Sequence, residues 1–95
     1  MSLTQLQYFV TVAEVGNVTR AARRLRVSQP PVTRMIRALE DELGAALFVR
    51  EARGVRLLPA GSRLLERART ILSLVEGTRA AVGSVGEDDR GGHGG

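Results

Sequence analysis

A small, mostly α-helical fold with one β-hairpin is what this sequence predicts, and three observations predict it. Apolar residues recur at helical spacing through most of the chain. Between Asn17 and Leu43 it reads NVTRAARRLRVSQPPVTRMIRALEDEL: a short helix rich in small residues, a tight break at Arg26 to Ser28, and a second helix that is apolar on one face and arginine-bearing on the other. That is the layout of a helix-turn-helix, spanning about 18–37. Two short β-prone runs joined by a glycine-containing turn then lead into a long apolar stripe.

The first helix is expected over Leu3 to Val15. Ser2 and Gln5 stand in capping-box spacing at its start, and Gly16 supplies a left-handed stop. Leu6, Phe9, Val10 and Ala13 share one face, which makes this a core helix. Asn17 is a good N-cap for the second helix, Val18 to Leu25, in which Ala21 and Ala22 are small enough for another helix to cross closely. In the third helix Val32, Ile36, Leu39 and Leu43 fall within about 60° of one another. The opposite face holds Pro30, Arg34, Arg37 and Asp41, with Thr33 at its edge. Only its N-terminal half is cationic, because Glu40, Asp41 and Glu42 occupy the other end. A phosphate-rich ligand is therefore expected near the helix start, and Gly44 ends the helix.

The β-prone runs are Ala46 to Arg50 and Val55 to Leu58, joined by Glu51, Ala52, Arg53 and Gly54. An isolated hairpin is marginal in water, so Leu47, Phe48 and Leu57 are expected to pack it on the helices. Pro59 opens the last helix, where Leu64, Ala68, Ile71, Val75, Thr78 and Val82 alternate spacings of four and three, and Leu65 and Leu72 widen the stripe. That is more apolar surface than a lone helix leaves in water. A second copy of the same helix would cover it, with Leu64, Leu65, Ala68, Ile71, Leu72 and Val75 in the seam. The competing reading folds this helix back onto its own domain. Gly77 weakens it by about 1 kcal/mol relative to Ala. From Gly83 onward GSVGEDDRGGHGG is too polar and glycine-rich to pack, so a disordered tail is expected. The organisation expected is a domain over 1–58, a dimerisation helix over 59–83 and a tail over 84–95.

With 95 residues, 43% of them hydrophobic, the chain has room for one small domain and an appended element, but not for an enzyme-sized pocket. It has no cysteine, and therefore neither disulfides nor thiolate metal sites. No apolar run approaches the roughly 20 residues that span a bilayer, and Met1 leads into a capped helix instead of a signal peptide. The net charge of +4 is unevenly spread: residues 1–69 hold 12 arginines against six acids, and residues 70–95 hold two against four. All the cations are arginine, which favours planar, bidentate contacts to phosphate or guanine; high-GC coding explains the same bias. The one histidine, His93, lies in the glycine-rich tail, with no histidine–carboxylate cluster and no phosphate loop after a strand. Neither an enzyme, a metal or cofactor site, nor a small-molecule site is expected.

At this spacing VSQPPVTRMIRALEDELG, LFVRE and RGVRLLPAG together resemble the N-terminal DNA-binding domain of LysR-type transcriptional regulators, over roughly residues 3–83. The resemblance implies a winged helix-turn-helix, three helices plus a two-stranded wing, followed by a long linker helix that dimerises. It implies that the third helix enters the major groove, that the wing touches backbone or minor groove, and that linker helices pair antiparallel. Two domains would then read an interrupted inverted repeat in double-stranded DNA. Carried over by position, the DNA contacts fall on Gln29, Pro30, Thr33 and Arg34, with Ser28 and Arg37 close by and Arg50 and Arg53 in the wing. The function implied is transcription regulation by a homodimer in the bacterial cytoplasm, on the nucleoid. Three departures stand out: Met35 replaces a usual glutamine, Leu58 replaces a threonine that caps the linker helix, and no effector-binding domain is expected within these 95 residues.

Chemistry gives each residue a role. Gln29 can bond bidentately to adenine, Pro30 and Thr33 can touch a thymine methyl, and Arg34 can fork onto guanine or a phosphate. The plain alternative leaves Arg34 and Arg37 as a solvated face. Arg50 and Arg53 suit phosphates, which set register without reading sequence. Ser28 would cap the third helix, but the amides it would accept from belong to Pro30 and Pro31 and carry no hydrogen. Its hydroxyl is thus expected to be available to a phosphate, while the prolines pre-set the first turn. A second function class remains: a winged-helix protein-binding module in which the leucine-bearing helix assembles and the arginines solubilise.

Overall fold

Side-chain chemistry sets the ends of the first three helices. In the computed structural model, which describes the backbone of residues 1–93 and the side chains of residues 1–86, α1 spans Leu3–Val15, α2 Val18–Leu25 and α3 Gln29–Leu43. At the start of α1 the Gln5 amide donates to the Ser2 hydroxyl at 3.0 Å and the Ser2 amide donates to the Gln5 carboxamide at 2.9 Å, a closed capping box. The Arg20 amide donates to Asn17 Oδ1 at 2.9 Å and caps α2. Gly16 and Gly44 end α1 and α3 in the left-handed conformation. Arg26 ends α2 the same way, with φ 59, a position that costs a non-glycine residue about 1–2 kcal/mol.

Leu6, Phe9 and Val12 of α1, Ala21 and Ala22 of α2, and Val32, Ile36 and Leu39 of α3 form one buried cluster, joined by Leu47 and Ala68. Val12 was not on the expected face of α1, and Ala13 is only half-buried. The reason is that α1 lies at the centre, packed against α2, α3 and the last helix at once, so its buried face is wider and turned.

The hairpin is β1 (Phe48–Glu51) paired antiparallel with β2 (Gly54–Leu57), with Phe48 opposite Leu57 and Glu51 opposite Gly54. Relative to the sequence expectation, β1 starts two residues later, because Leu47 is buried in the helical core and its amide is taken by Glu40, and the turn shortens to Ala52 and Arg53. The Leu47 amide donates to Glu40 Oε2 of α3 at 2.8 Å, and the Val55 amide donates to the Gly16 carbonyl at 3.0 Å. The Phe48 ring lies 5.3 Å from that of Phe9 between centroids. Two glycines permit this seating. A Cβ on Gly54 would lie 2.1 Å from the Gly16 carbonyl oxygen, and one on Gly61 would lie 2.2 Å from that of Leu47.

The last helix, α4, runs Pro59–His93, and with 35 residues it gives the molecule its 61 Å long axis. It passes the expected boundary at Gly83 and continues through most of the segment read as a disordered tail; residues 94–95 lie outside the described residues. No proline follows Pro59, and Gly77, Gly83 and Gly86 are not among the positive-φ glycines, so no residue imposes a stop. The apolar stripe of α4 is divided. Ala68 is 0% exposed within the single chain, and Leu64, Leu65 and Leu72 pack partly buried against the same core. Ala68 is thus covered within the protomer, and the N-terminal part of α4 packs on its own domain.

Candidate nucleic-acid interface

The turn at Arg26 brings the first turn of α2 beside the first turn of α3, and the hairpin flanks both. Ser28, Gln29, Pro30, Arg34, Arg37, Arg50 and Arg53 are all exposed, and Thr33 is half-buried. Ser28 is the N-cap of α3 and makes no side-chain capping bond, as the two prolines dictate. Its hydroxyl is left open to solvent. Gln29 is held: the Thr19 hydroxyl donates to Gln29 Oε1 at 2.9 Å.

Two clefts collect these side chains. A polar one of about 290 Å³ between the helix-turn-helix and the hairpin is lined by Asn17, Thr19, Gln29, Arg50 and Arg53, among others. A narrower one of about 100 Å³ lies between α3 and the hairpin, with Thr33, Arg37 and Arg50 over an apolar floor that includes Ile36 and Phe48. Arg50 borders both. Ser28, Pro30 and Arg34 line neither cleft, and instead stand on the exposed side of α3 and its cap. The residues named from sequence thus form one surface in two parts, an open helix face and a groove between helix and hairpin.

Charge pairing leaves this surface cationic, although Arg63, Arg67 and Arg79 of α4 are unpaired as well among the described residues. Arg24 and Arg69 both reach Glu14, at 3.7 and 3.4 Å, Arg56 pairs with Glu51, and the N-terminal amine pairs with Glu42 at 2.8 Å. Among the described residues no ion pair neutralises Arg34, Arg37, Arg50 or Arg53, nor Arg20, Arg23 or Arg26. Cationic charge is therefore uncompensated around the start of α3 and the hairpin, where it favours an anionic, phosphate-bearing ligand. Among the described residues there is no cluster of His, Cys, Asp and Glu suited to a metal ion, and no helix long and apolar enough to cross a membrane.

Sequence reasoning missed three residues here. Asn17 and Thr19 enter the polar cleft only because the helix-turn-helix folds α2 onto the start of α3. Glu40, read as part of an acidic helix end, anchors the hairpin through the Leu47 amide. On α4, Leu74 was also missed: it is 66% exposed, as is Val82, and together with Ile71 and Val85 it marks an uncovered apolar stripe. At 100° per residue that stripe is displaced by roughly 90° from the one that Ala68 and Leu72 bury.

Comparison with known proteins agrees with this geometry. Residues 3–62 match the family model described as bacterial regulatory helix-turn-helix protein, lysR family. The chain is 56% identical over 96 residues to the HTH-type transcriptional regulator TfdS of Cupriavidus pinatubonensis, covering 96% of this chain and 32% of that protein. Among solved structures it is similar to the CbnR_DBD–DNA complex, with a TM-score of 0.80 and 49% identity over 88% of this chain and 99% of that one. It is similar also to the BenM_DBD complex with catB site 1 DNA, with a TM-score of 0.87 and 37% identity over 90% of this chain and 96% of that one. The chain spans about a third of the length of the curated relatives it matches. From its helix-turn-helix, its hairpin wing and this match across most of the folded domain, the chain belongs to the LysR family of bacterial regulatory helix-turn-helix proteins.

Proposed function

We propose that this chain is the sequence-specific, double-stranded-DNA-binding part of a transcriptional regulator that works as a homodimer on the bacterial nucleoid. The observation that carries this reading is the surface on which Gln29, Thr33, Arg34, Arg37, Arg50 and Arg53 gather with every arginine unpaired among the described residues. Similar chains of known structure are complexes with DNA. On this reading the first two turns of α3 enter the major groove, where Gln29 meets adenine, Pro30 and Thr33 meet thymine methyls, and Arg34 meets guanine or phosphate. Ser28, Arg37, Arg50 and Arg53 hold the backbone and fix register. The curated relatives are named as transcriptional regulators, which argues for regulation and against catalysis. Exposed Ile71, Leu74, Val82 and Val85 on α4 support pairing with a second copy, so that two α3 helices face successive half-sites of an interrupted inverted repeat.

Titration of duplex binding against salt tests the reading. Log K is expected to fall with log salt at a slope of about −0.9 per phosphate neutralised, and selection from a random duplex pool is expected to return an interrupted inverted repeat. A flat salt dependence with no selected sequence would overturn it and leave a winged-helix protein-binding module.

A further inference from the structure

We propose that Thr19 is a positioning residue for base recognition: it fixes the orientation of the Gln29 carboxamide and thereby helps to decide which base pair Gln29 accepts. This deepens the DNA-binding reading and rests on it. Gln29 is the first residue of α3 and is exposed, and among the described residues nothing on its own helix hydrogen-bonds its carboxamide. A glutamine side chain in that setting has several rotamers, and its amide can turn through 180°, exchanging donor for acceptor. An unheld Gln29 would offer the two orders of donor and acceptor alike.

The contact from α2 restricts the rotamers of that side chain, and in the orientation observed it is Oε1 that faces Thr19. The Thr19 hydroxyl donates to Gln29 Oε1 at 2.9 Å, ten residues away in the chain. A carbonyl-type oxygen has two lone pairs, so one remains on Oε1 for a second donor, and Nε2 keeps both hydrogens because it has no partner among the described residues. One remaining acceptor beside free donors is the complement of the adenine major-groove edge, where N6 donates and N7 accepts. Asn17, which lines the same cleft, is already used, since its Oδ1 accepts from the Arg20 amide and caps α2. Among the described residues Thr19 is the one side chain of that cleft that hydrogen-bonds Gln29. The consequence is that a residue of the helix behind α3 sets specificity without itself touching a base.

The experiment uses a duplex selected from a random pool on the wild-type chain, together with its variants at the base pair that Gln29→Ala desensitises. A bidentate glutamine–adenine pair discriminates by roughly 5- to 150-fold. Thr19→Val, which keeps the shape and removes the hydroxyl, is expected to lower that ratio about threefold or more, with an unchanged melting temperature. Thr19→Ser is expected to restore it. In a Gln29→Ala background Thr19→Val is expected to have no further effect, because its action passes through the missing amide. Without DNA, the side-chain ¹⁵N order parameter of Gln29 is expected to fall in Thr19→Val and to hold in Thr19→Ser.

An equal loss of affinity on all duplexes, persisting in the Gln29→Ala background, would overturn the proposal and make Thr19 a phosphate contact. An unchanged ratio and order parameter would overturn it outright. Failure of the DNA reading looks different: the wild-type chain itself would select no sequence, and the assignment would fall with it.

Discussion

Ser28 shows how a single residue can be released from one task by its neighbours. It occupies the N-cap of α3, yet the structure gives it no capping bond, since the acceptable amides belong to prolines. Ser28→Ala is accordingly expected to leave thermal stability within about 0.5 kcal/mol while weakening operator binding by about 1.5–3 kcal/mol, the value of a hydrogen bond to a charged group. Thermal melting and duplex titration on the same preparation check both halves, and a fall in stability at constant affinity would return Ser28 to capping. Positions of this kind were legible in the sequence because their chemistry is local: a capping box, a glycine stop or a proline acts within three or four residues. Thr19 and Glu40 were not legible. Their partners, Gln29 and Leu47, are ten and seven residues away, and only the folded turn and hairpin bring them within reach.

At the level of elements, the first three helices were read accurately at their ends and less accurately on their faces, and the last helix outran its expected end. Periodicity identifies an apolar stripe, but its edge depends on which neighbours arrive, as Val12 shows on α1. The same limit applies to α4, where one continuous pattern of fours and threes ran over two environments, with Ala68 turned inward and Ile71 and Val82 outward. The start of α4 offers a test of local chemistry. Leu58 precedes Pro59, and its carbonyl accepts from the Ser62 amide at 2.9 Å, placing it at the N-cap with a side chain that has no oxygen to offer. Leu58→Thr is expected to stabilise the domain by about 1 kcal/mol. For a chain of this size that is a rise of roughly 4–8 °C in melting temperature, measurable by circular dichroism.

Considered as a whole, the molecule is a small cluster of helices with a long lever, and the lever carries the uncovered apolar stripe. Leu74→Glu would place a charge in a two-copy seam twice over, and it is expected to raise the dimer dissociation constant by at least about 30-fold. Sedimentation at several concentrations reads that change, and the melting of the protomer should stay as it was. Ala68→Glu is the contrasting variant, since it buries an unpaired charge in the core and should unfold the domain instead. The seating of the hairpin has a thermodynamic consequence at this scale. It is pinned to α3 by Glu40, to the α1–α2 turn through Gly16, and to Phe9 through Phe48. Ordering a residue costs about 1–2 kcal/mol, and here that cost is met during folding. A duplex arriving at this surface has no loop to freeze into place, so association should proceed with the heat-capacity change of two rigid bodies, not of a segment that folds as it binds.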